Sequence, residues 1–298
     1  MLSSSSTKGL LLNYTASTLA VTGLDANVNL SHCVQGGMVA DDKYLYLRLN
    51  VASQSLSGIY AVNMSTGVAS QVCQRVNATV STPNTGLCVS ANGTIFFSEA
   101  DAPYPYIYWY SVGPFTGTPL TPTLLFSSSD ETASFNNCGL NRLAVNPAGT
   151  ILYMPAPVGN IYKVTWSGGV GTFTVLVANG STALAVDRGG NLFASGSSGL
   201  ALPNVLVTPG GVATTITQSF YPLNNYAAYD SDGCPIIANG ASAFLYKLKP
   251  PSASTTWAQI TSTATSILSG ITVHQPSRTI YVLEGVSPGT LRTFTPNY

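Results

Sequence analysis

Four polar residues have side chains that could hold a cation or a polar ligand if the fold brings them together. Glu99 and Glu284 each end a run of strand-forming residues, Asn239 ends a third run, and Asn141 precedes a fourth. Carboxylate and amide oxygens are the ligands that hard divalent cations take. The alternative is that each side chain caps a strand end or bonds a loop backbone, and this structural interpretation is the one we favour.

Other residues with reactive side chains fit structural roles better. Asp230, Asp232 and Gly233 resemble part of a calcium loop, but the distal Glu and further acidic residues of such a loop are missing, so we interpret the segment as a hairpin turn. The two histidines, His32 and His274, fall in a loop and a turn, and no serine nucleophile motif accompanies them. We therefore expect no catalytic residue, no cofactor and no bound metal.

A sixfold internal repeat decides how these residues are positioned. An apolar segment followed by a tight polar turn recurs about every 47 residues, with Val39, Val89, Val145, Val186, Tyr229 and Val273 at equivalent places. Behind each turn come further short runs of strand formers, such as YLYLRL in the first unit and TIYVLE in the last. Four short strands per unit predict an all-β fold, a six-bladed β-propeller, and a β-sandwich is the alternative.

The sixth unit is one strand short, and the N-terminal segment offers the missing strand. Residues 18–22 read Thr-Leu-Ala-Val-Thr, and we expect them to pair with residues 291–294 and close the ring, which removes an exposed sheet edge. The chain then forms one domain. Residues 1–35 supply the closing strand and its lead-in, and residues 36–298 supply the six blades.

Composition limits the partners of the protein. Eleven Lys and Arg balance eleven Asp and Glu, and only 7% of residues are charged, against about 25% in an average protein. Because no basic run is present, we expect no binding to nucleic acid or anionic lipid, and no apolar run is long enough for membrane insertion. Few charges weaken electrostatic repulsion, so we expect self-association or contact with another extracellular protein or glycan.

The cysteines and glycosylation sequons indicate a secreted, extracellular glycoprotein. The five cysteines lack zinc-ligand spacing and fit an oxidising compartment, with a disulfide between Cys73 and Cys88 or between Cys88 and Cys138. The first residues contain no intact signal peptide, so either a leader has been removed or the compartment is different. The candidate glycosylation sites are Asn13, Asn29, Asn63, Asn77, Asn92 and Asn179.

An aromatic run marks the second unit. Alternation along its third strand puts Trp109 and Tyr110 on opposite faces, so both sides of this blade are aromatic. Tyr104 and Tyr106 precede the strand and lie in a loop. Exposed aromatic rings are enriched at interfaces, so contact with a sugar or a protein partner is one interpretation of these two residues, and structural packing, which we favour, is the other.

The repeated phrase resembles NHL and gluconolactonase or strictosidine-synthase-like six-bladed propellers. Residues 141–153, Asn-Arg-Leu-Ala-Val-Asn-Pro-Ala-Gly-Thr-Ile-Leu-Tyr, look like the lactonase-family phrase in which Asn precedes Gly-Leu-Ala and the turn reads Ser-Pro-Asp-Gly. The resemblance implies an axial divalent cation held by Glu, Asn and a catalytic Asp. Only Asn141 matches this set, because Thr182 and Ala183 stand where the Asp is expected.

Three functions follow from these observations. The one we favour is a non-enzymatic structural or adhesive subunit of an extracellular assembly, because a hydroxyl-rich surface with few charges suits contacts between copies. The alternatives are a carbohydrate- or peptide-binding module and a divalent-metal hydrolase of the lactonase type. Metal content would identify the hydrolase, and particle size at rising concentration would separate an assembly from a binding module.

Overall fold

A computed structural model describes residues 14–76, 86–100, 107–127, 142–155, 160–178, 183–195, 204–216, 225–239, 244–248, 257–262, 268–284 and 288–297. Within these ranges the chain forms twenty-four β-strands and one 3₁₀-helix, Leu30–His32. No helix in this part of the chain is long and apolar enough to cross a membrane. The strands, in chain order, are β1 (Tyr14–Thr18), β2 (Cys33–Ala40), β3 (Tyr44–Leu49), β4 (Gly58–Asn63), β5 (Ala69–Gln74), β6 (Leu87–Val89), β7 (Ile95–Ala100), β8 (Ile107–Val112), β9 (Thr123–Ser127), β10 (Ala144–Val145), β11 (Leu152–Pro155), β12 (Asn160–Ser167), β13 (Val170–Ala178), β14 (Ala183–Val186), β15 (Leu192–Ser195), β16 (Asn204–Val207), β17 (Ala213–Ile216), β18 (Asn225–Tyr229), β19 (Pro235–Asn239), β20 (Phe244–Leu248), β21 (Trp257–Ser262), β22 (Leu268–His274), β23 (Thr279–Glu284) and β24 (Thr290–Pro296).

The strands form six four-stranded antiparallel sheets arranged as blades around one axis. Blades 1 to 5 are β2–β5, β6–β9, β10–β13, β14–β17 and β18–β21, and blade 6 is β22–β24 with β1. In each blade the first strand of the repeat is innermost, and neighbouring innermost strands contact one another around the ring. The predicted six-bladed β-propeller is confirmed, and strands β3 and β23 coincide with the predicted runs YLYLRL and TIYVLE.

The N-terminal segment closes the ring, but four residues earlier than predicted. Strand β1 pairs antiparallel with β24 along its whole length. Residues 19–22, most of the predicted strand, run on towards blade 1, where the Thr22 N–H donates to the Gly67 carbonyl at 3.0 Å. Leu19 and Val21 pack into the hydrophobic cluster between blades 6 and 1. Closure of the ring by the N-terminal segment is therefore confirmed, but the residues that form the closing strand are corrected. The apolar residues that were assigned to this strand are instead buried between blades 6 and 1.

Six hydrophobic clusters form the core, one between each pair of neighbouring blades. Because both faces of a blade are covered, strand residues are buried whichever way they point, and all six residues of β3 are buried. Trp109 faces blade 3 and stacks on Phe126 with ring centroids 4.7 Å apart. Tyr110 faces blade 1. The predicted division of this aromatic strand between two faces is confirmed.

The described cysteines do not form the predicted disulfide. Cys33, Cys73, Cys88 and Cys234 are free and buried. Cys73 packs between blades 1 and 2, whereas Cys88 packs between blades 2 and 3. Burial raises the pKa of Cys73 to about 11 and the pKa of Cys88 well above its ordinary value, which keeps both as unreactive thiols. The pairing of Cys73 with Cys88 is therefore wrong, and Cys138, the other candidate, lies outside the described residues.

Candidate functional site

A cavity of about 810 Å³ runs along the propeller axis and is lined by the innermost strands of all six blades. Because the blades repeat one strand order around the ring, all innermost strands start at one mouth of this channel and enter their hairpin turns at the other. We call these the strand-start mouth and the hairpin mouth. Small and apolar residues such as Ala144, Ala185 and Val273 line the wall between them. This volume suits a small-molecule ligand.

Acidic residues at the hairpin mouth are held by their own turns. Asp187 and Asp230 each follow an innermost strand, and a carboxylate oxygen of each accepts from a backbone N–H four residues further on. The donors are Asn191, at 2.7 Å, and Cys234, at 2.8 Å. Such bonds from Asp side chains stabilise tight turns. The hairpin-turn interpretation of the Asp230 segment is confirmed.

A buried lysine also binds Asp230. The Lys247 ammonium forms an ion pair with the Asp230 carboxylate and lies 3.6 Å from a carboxylate oxygen of Asp232. Lys247 is only 3% exposed. Burial by itself lowers the pKa of Lys247, but the hydrogen bond and charge of Asp230 raise this pKa overall. Asp230 is therefore a structural anion that fixes blade 5.

Side chains from three blades also meet across the hairpin mouth. Arg188 of blade 4 lies 3.4 Å from Asp42 of blade 1, on the opposite side of the ring, and both are largely exposed. A ring nitrogen of His274 lies 3.0 Å from the Asp42 carbonyl oxygen. His32 instead accepts from the Asn29 N–H at the start of the 3₁₀-helix. Neither histidine lines the axial cavity.

One position of the repeat differs between blades at the strand-start mouth. It lies three residues before the equivalent Val or Tyr of each innermost strand, and we call its six occupants the axial ring. They are Gly36, Gly86, Arg142, Ala183, Tyr226 and Gly270. Only blades 3 and 5 place large side chains here. The Arg142 guanidinium carbon lies over the Tyr226 ring, 5.7 Å from its centre, in a cation–π contact, and both residues line the cavity.

Burial shifts the pKa of both Arg142 and Tyr226. Burial raises the pKa of Tyr226 to about 12, although the charge of Arg142 acts in the other direction. Burial lowers the pKa of Arg142, but a guanidinium keeps its charge at any ordinary pH. At neutral pH the pair is therefore a cation beside a protonated phenol.

Two buried hydroxyls in the cavity wall lack a hydrogen-bond partner among the described residues. They belong to Tyr226, 4% exposed at the strand-start mouth, and Tyr229, 5% exposed at the hairpin mouth. The Tyr229 backbone carbonyl, by contrast, accepts from Gln275 at 2.6 Å. Nearly all buried polar groups in native proteins bond to protein or water, so an unpartnered hydroxyl is a place where a ligand or water binds.

The carboxylates of the predicted axial cluster have cationic partners elsewhere. Glu99 is fully buried and forms an ion pair with Arg48 of blade 1. A carboxylate oxygen of Glu284 lies 2.6 Å from the side-chain nitrogen of Arg292 on the neighbouring strand. Neither glutamate lines the axial cavity. Asn141 and the side chain of Asn239 lie outside the described residues. In the described part of the chain, no group of three or more His, Cys, Asp or Glu side chains could hold a metal ion.

The remaining predicted site residues are surface residues or fall outside the described ranges. Asn29 caps the 3₁₀-helix, Asn63 ends β4 and Asn92 lies in a turn, and each side-chain oxygen accepts from the backbone N–H two residues further on. Their glycosylation stays a prediction. The residues outside the described ranges are Asn13, Asn77, Tyr104, Tyr106 and Asn179.

Sequence reasoning missed Arg142 and Tyr226 although the repeat contains the signal. Aligned on its turns, the repeat shows Gly or Ala at the axial-ring position in four units and a large polar side chain in only two. The resemblance to lactonases singled out the neighbouring residue, Asn141, instead. The two large polar side chains at a position that is otherwise Gly or Ala are the signal that could have singled out these residues.

The chain is similar to solved propellers over nearly its whole length. The PQQ-bound aldose sugar dehydrogenase from Streptomyces coelicolor gives a TM-score of 0.62 at 12% identity, covering 95% of this chain and 98% of that chain. A putative gluconolactonase gives 0.60 at 13%, covering 97% and 96%. A catalytically inactive virginiamycin B lyase from Staphylococcus aureus, solved with quinupristin, gives 0.58 at 11%, covering 95% and 100%. No protein-family model and no curated protein matches the sequence. The predicted resemblance to gluconolactonase-like six-bladed propellers is confirmed for the fold.

The comparisons correct the function predicted from the sequence. That prediction was a non-enzymatic structural or adhesive subunit, argued from the low charge of the chain. Apart from one protein of unknown function, the similar structures are named as enzymes, namely sugar dehydrogenases, a putative gluconolactonase and streptogramin-type lyases. The prediction of a non-enzymatic adhesive protein is therefore contradicted. Low surface charge describes how a protein behaves in solution and says little about what its axial cavity does.

Proposed function

We propose that the protein is an enzyme that acts on a sugar or a sugar-derived molecule bound in the axial cavity. The observation that carries this proposal is the cavity itself, about 810 Å³ in volume, with Arg142 and Tyr226 at its strand-start mouth. Enzymes named for sugars and for a sugar lactone recur among structures of similar fold. Since identity is 13% or less in these cases, their residues are not transferred to this chain.

The polar side chains of the cavity suit a substrate in which an oxygen carries or develops negative charge. Arg142 is a fixed cation with several N–H donors. Tyr226, with a pKa of about 12, stays protonated at neutral pH and could donate a hydrogen bond to a substrate. Where such groups are buried, they stabilise negative charge more strongly than water does. Neither group is a general base, so both would bind and polarise the substrate.

The proposal is tested with a substrate panel and variants that fill the cavity. The panel contains D-glucono-1,5-lactone, with acid release as the readout, and D-glucose and other aldoses, with reduction of a dye in the presence of added PQQ as the readout. Val186 lines the cavity, and Val186→Trp fills it. We expect saturable turnover of at least one compound by the wild type and a loss of at least tenfold in the variant. Ala40→Phe fills the cavity from blade 1 and provides a second variant.

A matched control places the same new side chain outside the cavity. Val212 is 65% exposed in an outer turn of blade 4, so Val212→Trp should leave turnover within twofold of the wild type. Thermal unfolding of every variant identifies any that fail to fold. If both folded cavity-filling variants keep wild-type turnover, the active site is elsewhere and the proposal is wrong. If the wild type turns over no compound of the panel, the sugar substrate class is wrong.

The cellular location is proposed separately. An extracellular, secreted protein is still favoured by sequons that lie in turns, such as Asn92, which is exposed. The buried free cysteines remove the disulfide as a further reason for that compartment. The expectations that the protein binds no nucleic acid and does not insert into a membrane stay predictions from composition. Peptide mapping of the protein from its source would show whether the sequons carry glycans.

A further inference from the structure

We infer that two copies of the chain associate through the outer strand of blade 3, β13 (Val170–Ala178), which pairs antiparallel with the same strand of the second copy. The partner is therefore another molecule of this protein, and the interface lies on the outside of the ring. No residue of β13 lines the axial cavity, so the inference does not depend on the proposed function.

The first observation is the length and regularity of this sheet edge. β13 is the outermost strand of its blade, and among the described strands only β12 pairs with it. Residues 170–175 follow β12 in unbroken register, whereas a bulge divides the outer strands of blades 1, 2 and 5 into runs of at most three residues. A long regular edge presents backbone N–H and C=O groups to another strand.

The second observation is that β13 lacks the features that usually protect such an edge. It reads VGTFTVLVA and contains no charged residue and no proline, the two residue types that commonly prevent edge pairing. Two other outer strands without a bulge, β1 and β17, are also uncharged, but they have five and four residues. Within the described chain neither of these has a large exposed apolar side chain, whereas Val170 and Val175 of β13 are 67% and 49% exposed.

The hairpin formed by β12 and β13 projects from the described part of the molecule. Its two-residue turn consists of Gly168 and Gly169, whose φ values of 59° and 83° are those of a type I′ turn. Apart from the adjoining residues, no described atom lies within 4 Å of where a side chain on either glycine would begin. The loops at the same end of blades 2 and 4, residues 113–122 and 208–212, are described as well. Within the described chain, the half of β13 next to this turn is therefore accessible.

One face of β13 has an apolar row that suits pairing with its own copy. Phe173 packs in the cluster between blades 2 and 3, and Val175 lies opposite Tyr162 of the same cluster, so both side chains point towards blade 2. Leu124, on the adjoining outer strand β9, is 51% exposed. A two-fold axis perpendicular to the sheet pairs two β13 strands antiparallel and keeps each face on its own side. The apolar row of one copy then continues into the apolar row of the other.

The charge of the molecule favours a second copy over a partner that is recognised by its charge. The net charge of the chain is zero, and Lys163 is the only charged residue of β9, β12 and β13. In the paired sheet the two copies of Lys163 are three strand spacings apart, roughly 14 Å, so salt screens their repulsion. Two identical uncharged strands therefore meet without repulsion. Because one strand pair is a small contact, we expect a dimer that depends on concentration.

Sedimentation equilibrium of the full chain at rising concentration tests the interface. We expect the average mass to rise from that of the 31.0 kDa monomer towards twice that value. Val170→Lys and Val175→Lys should each raise the dissociation constant of the dimer at least tenfold, because two-fold symmetry brings the added charges together at the edge. A wild type that stays monomeric up to about 1 mM would overturn the inference.

Two controls place the same charge on outer positions of blade 4. Val212, in a turn, is 65% exposed, and Thr214 lies exposed on β17. Val212→Lys and Thr214→Lys should leave the dissociation constant within twofold of the wild-type value. If they weaken association as much as Val175→Lys does, the effect is one of general charge and the β13 interface is wrong. Thermal unfolding identifies any variant that fails to fold.

Hydrogen exchange of the wild type provides a test that needs no variant. Between dilute and concentrated protein, exchange of the backbone amides of residues 170–175 should slow at least threefold, because pairing with the second copy protects those that face outwards. The amides of residues 213–216, on the outer strand of blade 4, should exchange at the same rate in both samples. If the mass doubles but exchange slows on another strand and not on β13, the copies associate elsewhere and the inference is wrong.

Discussion

The two mouths of the axial channel differ in how their described polar side chains are bonded. At the hairpin mouth, Asp187 and Asp230 each accept from the backbone of their own turn, and Asp230 also binds a buried lysine. At the strand-start mouth, Arg142 and Tyr226 meet across the axis, and the Tyr226 hydroxyl has no partner among the described residues. The acidic side chains of the hairpin mouth therefore stabilise the fold, whereas the Tyr226 hydroxyl at the strand-start mouth makes no hydrogen bond within the described part of the chain.

In a repeated fold, residues that stabilise every repeat and residues that bind a ligand are expected to follow different sequence patterns. Residues that serve the repeat recur in it, because every blade must close the same hairpin, and Asp187 and Asp230 occupy equivalent places. Residues that serve a ligand break the repeat, because a ligand on the axis is not sixfold symmetric. Arg142 and Tyr226 depart from the repeat at the axial-ring position. Variants at the two mouths should therefore separate stability from ligand binding.

The largest expected effect is at the hairpin mouth. Lys247→Met should lower the free energy of unfolding by about 3–5 kcal/mol, because it leaves the Asp230 carboxylate buried without its cation. Urea denaturation measures this loss. The double variant with Asp230→Asn should recover part of it, since no uncompensated charge then remains. A Lys247→Met protein as stable as the wild type would contradict a structural role for this pair.

The pH dependence of the same pair has a defined sign. The pKa of Lys247 is raised in the folded protein above its ordinary value of 10.5, so the folded state holds the proton more tightly than the unfolded chain. The stabilisation is therefore fully present below about pH 10.5 and is lost as pH rises through the higher folded pKa. The difference in unfolding free energy between wild type and Lys247→Met should stay constant from about pH 6 to 9. A difference that shrinks within that range would show that another group titrates.

A smaller loss of stability is expected when the hairpin turn of blade 4 loses the hydrogen bonds of the Asp187 side chain. Asp187 accepts from the backbone N–H and the side-chain amide of Asn191 at 2.7 and 2.8 Å. Asp187→Ala should lower the free energy of unfolding by about 1–2 kcal/mol, because both bonds are removed. Asp187→Asn keeps an acceptor and should cost less than about 0.5 kcal/mol. Equal losses in the two variants would mean that charge, and not the turn bond, is what matters there.

The blade architecture could be predicted from the sequence because it depends on local patterns that recur six times. The run YLYLRL is a strand with both faces buried, and it appears as β3 with the predicted bounds. The closing strand was placed four residues too late because apolar character alone does not distinguish a strand from a segment that packs between two blades. Leu19 and Val21 fill a junction between blades, whereas the more polar β1 pairs at the edge.

The candidate site was harder to predict because charge in the sequence does not show what each charged group contacts. Glu99 and Glu284 stood out as carboxylates, but each has an arginine partner that only the fold brings close. Cys73 and Cys88 are near in sequence and belong to different inter-blade clusters. Arg142 and Tyr226 are far apart in sequence, and only the alignment of blades 3 and 5 relates them.

An exposed ion pair at the hairpin mouth should matter little for stability. Arg188 and Asp42 lie 3.4 Å apart with side chains that are 69% and 75% exposed, so solvent screens their attraction. Arg188→Met should change the free energy of unfolding by less than about 0.5 kcal/mol, as measured by urea denaturation. A larger loss would show that this contact across the ring stabilises the propeller and would weaken the contrast between buried and exposed pairs at this mouth.

The smallest stability effect is expected at the strand-start mouth, where it gives the clearest test of the contrast. Tyr226→Phe removes a buried hydroxyl that has no partner among the described residues, so the free energy of unfolding should stay the same or rise by up to about 0.5 kcal/mol. Tyr60→Phe removes a hydroxyl that donates to the Leu56 carbonyl, and it should destabilise the protein by about 1 kcal/mol. Unfolding in urea measures the change in free energy for both variants. If Tyr226→Phe destabilises the free protein as much as Tyr60→Phe does, its hydroxyl serves the fold, and the two mouths do not differ in the way proposed.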